Sequence, residues 1–252
     1  MNKLRAVLDG GLPAVAVSFQ NSGDVESGTL VGEAIAVGVD IAELRIDRFP
    51  QHDSQAALEY ASYFRELPTI ATIRSAQEGG EWNDSEHTRL ELFRAVMPHV
   101  DGVDVELSAH SIVNAVIESA KSADRVAIVS YHNFEITPDD AILENVLNNA
   151  LEVGADYVKI SSMAKTLSDV QRLAEFLLAH RSKPLIVIAM GAVGTMSRIF
   201  FPALGSRMTY SFIGGNFAPG QMDYEETFHM LRKFYPEYSN KKIVDLGLLE
   251  GV

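Results

Sequence analysis

Cysteine is absent from the 252 residues of this chain. Its absence excludes disulfide bonds, thiolate zinc sites, iron–sulfur clusters and cysteine nucleophiles, and it favours a reducing compartment, so we expect a cytoplasmic protein. Long hydrophobic runs are missing as well. The longest, at residues 185–196, is interrupted by glycine and is shorter than the roughly 18 residues that a membrane span needs. Because the amino-terminal residues also lack the apolar core of a signal peptide, we expect no membrane association.

Positive charge is scarce. The 21 lysines and arginines face 34 aspartates and glutamates, which gives a formal net charge of −13. A surface this acidic repels a phosphate backbone, so the sequence argues against nucleic-acid binding. It would also repel an acidic small molecule at long range, and such a substrate would need local arginines to capture it. Hydrophobic residues make up 47% of the chain and charged residues 22%, which are the proportions of a folded protein rather than of a disordered one.

Short β-branched runs alternate with longer helical patterns along the whole chain. Most of the runs are apolar nearly throughout, which is typical of parallel strands buried on both faces. No glycine-rich phosphate loop follows the first run, which disfavours the alternative of an open doubly wound sheet. Since no linker or low-complexity tract marks a boundary, we expect residues 1–252 to form one domain of the α/β class, a single (β/α)₈ TIM barrel. The predicted strands are Ala14–Ser18, Ile41–Arg45, Thr69–Ile73, Gly102–Glu106, Arg125–Ser130, Tyr157–Ile160, Leu185–Ala189 and Met208–Phe212.

Helices are predicted between these strands, several of them behind a residue that suits an N-cap. The helical patterns, each followed by its candidate cap where one is present, are Ser54–Leu67 (Asp53 or Ser54), Ser85–Pro98 (Asp84 or Ser85), Ala109–Ser122, Pro138–Val153 (Thr137) and Ser168–His180 (Ser168).

Charged side chains are concentrated where the strands end. In a parallel barrel the carboxyl ends of the strands meet at one face, and active sites lie there. Side chains alternate along a strand, so Glu43 and Arg45 share a face, and the sequence leaves open whether they pair with each other or face a ligand. Charged groups are rarely buried unless paired, so stability alone does not explain so many of them at one end. The strand-end residues are Glu43, Arg45, Thr72, Arg74, Asp104, Glu106, His132 and Lys159.

Lys159 and His132 suggest a particular chemistry. A buried lysine beside a histidine, with no metal ligands nearby, points to imine catalysis on a carbonyl compound, with the free amine as the nucleophile. The usual lysine pKa of about 10.4 leaves few neutral amines at pH 7, but burial and nearby cations would lower that pKa. An iminium would acidify the adjacent C–H, and His132 could take the proton while Glu78 orients its ring. We expect Asp104 and Glu106 to shape the electrostatics of Lys159 rather than to react.

Several stretches of the chain match one known family in order and in spacing. They are Glu43-Leu-Arg45-Ile-Asp47, Thr72-Ile-Arg74-Ser-Ala-Gln-Glu78-Gly-Gly, Asp104-Val-Glu106, Ser130-Tyr-His132-Asn-Phe134 with Thr137-Pro138, Val158-Lys159, Gly194-Thr-Met-Ser-Arg198 and Ala218-Pro-Gly-Gln221. Each stretch is weak by itself, but together they span nearly the whole chain. The chain therefore resembles the type I 3-dehydroquinases, the Schiff-base dehydratases of the shikimate pathway.

The resemblance implies a reaction and a set of roles. Lys159 would form an imine with the C3 ketone of 3-dehydroquinate, and His132, oriented by Glu78, would take the C2 proton and then help water to leave from C1. The product of this syn elimination would be 3-dehydroshikimate, formed without a metal or a cofactor. The resemblance also implies a homodimer, a role in aromatic amino acid biosynthesis and a lid in the loop at 214–222. The substrate-binding residues would be Ser18, Glu43, Leu44, Arg45, Arg74, Arg198, Phe217 and Gln221, with Glu43, Arg45 and Arg74 on the ring hydroxyls and Arg198 and Gln221 on the carboxylate.

Phe217 is the position at which the chain departs from the family. The family usually has a serine there, directly before Ala-Pro-Gly-Gln, as part of the carboxylate site, and phenylalanine cannot make that hydrogen bond. Two alternatives stay open from the sequence. One is a lysine–imine aldolase for a phosphorylated sugar, with its phosphate near Gly214-Gly215 after the last strand. The other is a barrel that binds a hydroxy acid without turning it over.

Overall fold

The computed structural model describes residues 2–20, 27–49, 54–213 and 218–245. The predicted cap Asp53 and residues 214–217 of the predicted lid loop lie outside these ranges. Strands and helices alternate as the sequence predicts, although β5 and β6 extend beyond their predicted ends. The strands are β1 (Ala14–Phe19), β2 (Ile41–Arg45), β3 (Thr69–Thr72), β4 (Gly102–Glu106), β5 (Val126–Asn133), β6 (Tyr157–Met163), β7 (Leu185–Met190), β8 (Met208–Phe212) and β9 (Met222–Asp223). The helices are α1 (Lys3–Leu8), α2 (Ser27–Ala36), α3 (Ser54–Tyr63), α4 (Glu86–Val96), α5 (Val113–Ser122), α6 (Asp140–Glu152), α7 (Leu167–Ala179), α8 (Ser197–Leu204), α9 (Tyr224–Phe234) and α10 (Pro236–Asp245).

Parallel pairing joins the strands into one curled sheet in the order β7-β6-β5-β4-β3-β2-β1-β8-β9. The described residues form no ladder between β7 and β8, and other hydrogen bonds join the sheet there. The backbone N–H of Arg207 donates to the carbonyl of Leu185 at 2.8 Å, and that of Val187 donates to the hydroxyl of Ser206 at 3.0 Å. The α/β TIM-barrel-like fold is therefore confirmed. The short strand β9, which pairs with β8, is an addition that the sequence did not predict.

Apolar side chains fill the amino-terminal half of the barrel interior. Helix α1 closes this end, where Leu4 and Leu8 are buried, and each buried leucine contributes roughly 1.5–3 kcal/mol. Gly102 leaves room for this helix, because a Cβ atom at that position would lie 2.6 Å from Cδ2 of Leu4. The inward-facing apolar residues of the strands include Ala14, Ala16, Ile41, Ile70, Val126, Ile128, Ile186 and Met208.

The outward faces of the strands pack against the amphipathic helices in a second apolar cluster. Two predicted helix caps are wrong: α6 begins behind Asp139 rather than Thr137, and α7 begins behind Thr166 rather than Ser168. Several cap-forming residues stand side by side at both places, so the sequence alone does not choose between them. Ser85 caps α4, as one of the predicted candidates. Within the described residues, no helix is both long and apolar enough to cross a membrane.

Candidate active site

A cavity opens at the carboxyl ends of the strands, directly above the apolar layers. Its lining follows from the period of two along each strand, since Ser18 comes two residues after Ala16 on the inward face of β1. The parallel register then brings side chains of neighbouring strands to the same height, with Ser18 opposite Glu43 and Ser130 opposite Lys159. The predicted residues that line the cavity are Ser18, Glu43, Arg45, Arg74, Glu78, His132, Lys159, Arg198 and Gln221.

Lys159 is buried, with 6% of its side chain exposed. Its Nζ donates to Oδ2 of Asp104 and to the hydroxyl of Tyr210, both at 2.9 Å, and lies 3.7 Å from Oε1 of Glu43. Burial alone would raise the pKa of Asp104, but the charges of Arg74 and Lys159 hold that pKa well below its usual range. The sequence predicts that nearby cations and also Asp104 and Glu106 influence the amine. The direct contacts of Nζ are Asp104, one of these acids, and the phenol of Tyr210, which was not predicted. The amine can act as a nucleophile only in its neutral form, so a proton on Nζ has to leave before it attacks.

His132 and Glu78 form a hydrogen-bonded pair. The Nδ1 atom of His132 lies 3.0 Å from Oε2 of Glu78, which also accepts from the backbone N–H of His132 at 2.9 Å. The other oxygen of Glu78 accepts from the hydroxyl of Ser108. Burial, and then the charges of Arg74 and Lys159, lower the pKa of His132 well below 6.5. The imidazole is thus neutral at pH 7, and Glu78 selects the tautomer that carries hydrogen on Nδ1 and leaves Nε2 free as a base.

Arg74 is compensated by two carboxylates. Its Nη2 donates to Oδ1 of Asp104 at 2.7 Å, and its Nη1 lies 3.3 Å from Oε1 of Glu106. Burial alone would lower the pKa of Arg74, but Asp104 and Glu106 raise it. Glu106 also pairs with Arg89 on α4. Of the two acids on β4, Asp104 contacts Lys159 directly, and Glu106 is occupied by arginines.

Arg45 and Glu43 do not pair with each other, which answers the question left open by the sequence. Arg45 forms two hydrogen bonds with Asp47, from Nε at 3.0 Å and from Nη2 at 2.8 Å. Glu43 instead accepts from the hydroxyls of Ser18 and Thr72. Both charged side chains line the cavity, and each has its own partners before any ligand binds.

Arg198 is a buried cation with no carboxylate partner among the described residues. It lies in the first turn of α8 and is 2% exposed. Its Nη2 donates weakly to the carbonyl of Pro219 at 3.5 Å, and its buried Nε has no hydrogen-bond partner in the described part of the chain. Burial lowers the pKa of Arg198 to about 10, so it stays charged at pH 7. Gln221 also lines the cavity, two residues after Pro219. An unpaired buried charge is costly, which makes the part of the cavity around Arg198 suited to an anionic group of a ligand.

Several carboxylates lie at the cavity, and three of them form ion pairs with arginines. Asp47, Asp104 and Glu106 each bind an arginine. Within the ranges that the structure describes, no group of three or more histidine, aspartate or glutamate side chains is placed to hold a metal ion.

Among the predicted binding residues that the structure describes, Leu44 is the one whose side chain does not line the cavity. The side chain of Leu44 is fully buried in the cluster between the strands and the helices, because its neighbours Glu43 and Arg45 face the interior and alternate residues point outward. A side-chain contact of Leu44 with a ligand in the cavity is therefore wrong. Phe217 lies outside the described residues, so its role stays a prediction.

Tyr210 and Ser161 line the cavity, although the sequence motifs did not point to them. Both could have been found by counting in steps of two along a strand. Ser161 follows Lys159 by two residues on β6, and Tyr210 follows the inward-facing Met208 by two residues on β8. The signal was missed because a serine and a tyrosine in an apolar strand do not stand out as charged residues do.

The sequence model of the type I 3-dehydroquinases matches residues 15–236. The chain belongs to this family. A 3-dehydroquinate dehydratase of Methanocella arvoryzae is 34% identical over 220 residues, which cover 87% of this chain and 96% of that protein. A 3-dehydroquinate dehydratase of Aquifex aeolicus is 36% identical over 204 residues, which cover 79% of this chain and 89% of that protein.

Solved structures agree with this assignment. The crystal structure of the 3-dehydroquinate dehydratase from Aquifex aeolicus superimposes with a TM-score of 0.77 at 33% identity, covering 88% of this chain and 99% of that one. The enzyme from Geobacillus kaustophilus gives a TM-score of 0.79 at 27% identity, covering 88% and 92%. The predicted resemblance is confirmed, and this type I 3-dehydroquinase is an enzyme of the hydro-lyase class. Family membership decides against the aldolase alternative.

Proposed function

We propose that this enzyme removes water from 3-dehydroquinate through an imine on Lys159 and releases 3-dehydroshikimate. The observation that carries the proposal is the position of the Lys159 Nζ in a closed barrel interior, next to a histidine that is neutral at pH 7. A lysine amine can add to a ketone, and a neutral imidazole can accept a proton from the carbon beside the resulting iminium.

The bonds change in a balanced order. The neutral amine of Lys159 adds to the C3 ketone. The former ketone oxygen takes one proton from the nitrogen and one from an acid in the cavity and leaves as water, so a protonated imine remains, and the later hydrolysis of the imine returns the second proton. Nε2 of His132 then takes a proton from C2, and the electron pair of that C–H bond moves toward the iminium to give an enamine. The enamine expels the C1 hydroxyl, which takes the proton back from His132 and leaves as a second water. Hydrolysis of the product imine consumes one water and restores Lys159, so the net reaction is the loss of one water.

Substrate binding divides between a carboxylate site and a set of groups for the ring hydroxyls. Arg198 is the cation that lacks a described carboxylate partner, so we assign the substrate carboxylate to it. Arginine can hold a carboxylate through two parallel hydrogen bonds. Gln221 also lines the cavity and is assigned to the same group. Glu43 and Arg45 on β2 and Arg74 after β3 also line the cavity and are assigned to the ring hydroxyls.

A related crystal structure supports the covalent step of the proposal, and the family's metabolic role suggests the pathway. A type I 3-dehydroquinate dehydratase from Clostridium difficile, with a TM-score of 0.79 at 26% identity, was crystallised with covalently modified comenic acid, which supports covalent chemistry in this family. We place the enzyme in the shikimate pathway, in aromatic amino acid biosynthesis. The cytoplasmic location, the homodimer and the single domain over residues 1–252 stay predictions. The molecular mass of the native enzyme in solution would test the homodimer.

Borohydride trapping tests the imine. Reduction in the presence of 3-dehydroquinate should add one reduced ligand to the mass of the protein, and Lys159→Ala should abolish the adduct. The exposed Lys183 provides the control, since Lys183→Ala should trap as the parent does. The ultraviolet absorbance of the conjugated product measures turnover in the same samples.

Two results would overturn the proposal. An adduct that persists in Lys159→Ala would place the imine on another amine. A parent enzyme that binds 3-dehydroquinate but gives neither adduct nor conjugated product would favour the barrel that binds a hydroxy acid without turning it over.

A further inference from the structure

Tyr210 is a contact of Lys159 that the proposed reaction has not yet used. It is inward-facing on β8 and 4% exposed. Its hydroxyl lies 2.9 Å from Nζ of Lys159 and 3.3 Å from Oε1 of Glu43, while Nζ lies 4.3 Å from the centre of its ring. The phenol thus stands between the amine and a carboxylate.

The direction of these hydrogen bonds follows from what each group can donate. An ammonium group donates only, so the charged form of Lys159 donates to the oxygen of Tyr210. The hydroxyl proton of Tyr210 is then directed to Glu43. Burial, and then the charges of Glu43 and Asp104, raise the pKa of Tyr210 well above 10, so the phenol keeps its proton at neutral pH.

Asp104 and Tyr210 differ in the form of the amine that they can bind. A carboxylate only accepts, so Asp104 can bind an N–H group of Lys159 but not the lone pair of the neutral amine. A phenol accepts from the ammonium form and can donate to the lone pair of the neutral amine. Among the hydrogen-bond partners of Nζ in the described residues, Tyr210 is therefore the one that suits both forms. This property matters because the amine must change from one form to the other before it attacks.

We propose that Tyr210 positions the Lys159 amine and carries its proton to Glu43. The inference rests on the imine mechanism proposed above. As the N–H bond of the ammonium breaks, the proton joins the Tyr210 oxygen, and the proton already on that oxygen passes to Oε1 of Glu43. The result is a neutral amine and a protonated Glu43, with Tyr210 unchanged.

The same path closes the proton balance of imine formation. Addition of the amine to the ketone leaves an oxygen that must gain protons before it departs as water. One comes from the nitrogen, and the other returns from Glu43 through Tyr210. The ammonium and the ketone thus yield a protonated imine and one water, and Glu43 returns to its carboxylate form. Imine hydrolysis follows the same steps in reverse.

Tyr210→Phe tests this role, because it removes the hydroxyl and keeps the ring beside Nζ. Enzyme and 3-dehydroquinate are mixed rapidly at pH 7, and the reaction is stopped with borohydride at set times. Mass spectrometry then measures the fraction of protein that carries the reduced adduct. The rate of adduct formation should fall about 10²-fold, as expected for the loss of a positioned proton-transfer group. The deficit should shrink as the pH rises, because hydroxide can then remove the proton that Tyr210 no longer carries. The final amount of adduct should reach that of the parent.

Tyr157→Phe is the matched control. Tyr157 is also buried and inward-facing on β6, but its hydroxyl donates to Asp9 at the amino-terminal end of the barrel, at 2.8 Å. Its removal should leave the rate of adduct formation within about twofold of the parent, since no proton-transfer group is lost.

The titratable and charged groups around Nζ are Asp104, Glu43, Tyr210, His132 and Arg74. An unchanged trapping rate in Tyr210→Phe would overturn the role of Tyr210 while leaving the imine intact. A deficit that is constant with pH and is accompanied by a lower melting temperature would also overturn it, because that result describes lost packing. Absence of any adduct in the parent would instead overturn the imine itself.

Discussion

The buried arginines of the cavity differ in whether a carboxylate pairs with them. Arg45 and Arg74 reach the carboxylates of Asp47 and Asp104 at 2.8 and 2.7 Å. Arg198 is equally buried, and no described carboxylate pairs with it. Removing a charge from water costs several kcal/mol unless a partner compensates it. The paired arginines are therefore compensated before a ligand arrives, whereas Arg198 depends on a ligand for its compensating charge.

This division separates chemistry from binding. The groups assigned to bond making, Lys159 and His132, lie near the paired charges, since Asp104 contacts both Arg74 and Nζ of Lys159. The field of Arg74 and Lys159 contributes to the low pKa of His132. Arg198, which has no described carboxylate partner, also lines the cavity and can select an anionic substrate, even though the chain as a whole carries a formal net charge of −13. A local arginine without a described carboxylate partner is what the sequence required for the capture of an acidic substrate.

The largest expected effect comes from removing the base near the paired charges. His132→Ala should lower kcat by about 10²–10⁴-fold, which is typical for loss of a general base, yet it should still form the trapped imine. His180→Ala is the control, since His180 pairs with Glu144 on the helical surface and should leave kcat unchanged. Steady-state kinetics with mass spectrometry of trapped enzyme measures both. A near-normal kcat in His132→Ala would assign the base to another residue.

The difference between the paired Arg74 and Arg198 can be tested directly with the variants Arg74→Met and Arg198→Met. Arg74→Met removes one of the two cations from each of Asp104 and Glu106, which keep Lys159 and Arg89, and should lower the free energy of unfolding by up to about 3–5 kcal/mol. Arg198→Met removes an unpaired charge, so its free energy of unfolding should stay equal or rise, while kcat/KM falls by about 10²-fold or more. Denaturant unfolding gives the free energy of unfolding of each variant, and steady-state kinetics gives its kcat/KM.

Opposite results would count against this account of the arginines. Equal destabilisation by both substitutions would mean that Arg198 has a compensating partner in the folded protein. An unchanged kcat/KM in Arg198→Met would place the carboxylate site elsewhere.

The smallest expected effect is that of pH near neutrality. His132 acts as a base only when neutral, so activity falls as the pH drops through its pKa, which burial, Arg74 and Lys159 hold well below 6.5. Between pH 7.5 and 6.5, kcat/KM should therefore change by less than about twofold. Removing a neighbouring cation raises the pKa of a histidine, so Arg74→Met should move the acid limb upward. An acid limb at pH 6.5 or above in the parent would contradict the neutral, buried His132.

Much of the fold and of the site could be predicted because both follow local rules. The β-branched runs predicted the eight main strands, since parallel strands are buried on both faces. The period of two placed Glu43 and Arg45 on one face, and the same rule turns Leu44 outward, although Leu44 was predicted as a contact. The short β9 was not predicted, and the caps of α6 and α7 were predicted at the wrong residues, because these sequences permit several equivalent local structures.

The sequence by itself determined which residues stand at the strand ends, and therefore which chemistry the barrel can carry and which family it belongs to. Only the tertiary structure decided the partners: Arg45 with Asp47 rather than Glu43, Lys159 with Asp104 and Tyr210, and Arg198 with no described carboxylate. The reason is physical. Which face a side chain occupies depends on its own strand, whereas a hydrogen bond requires two groups from distant strands within about 3 Å, and that separation depends on how the whole barrel closes.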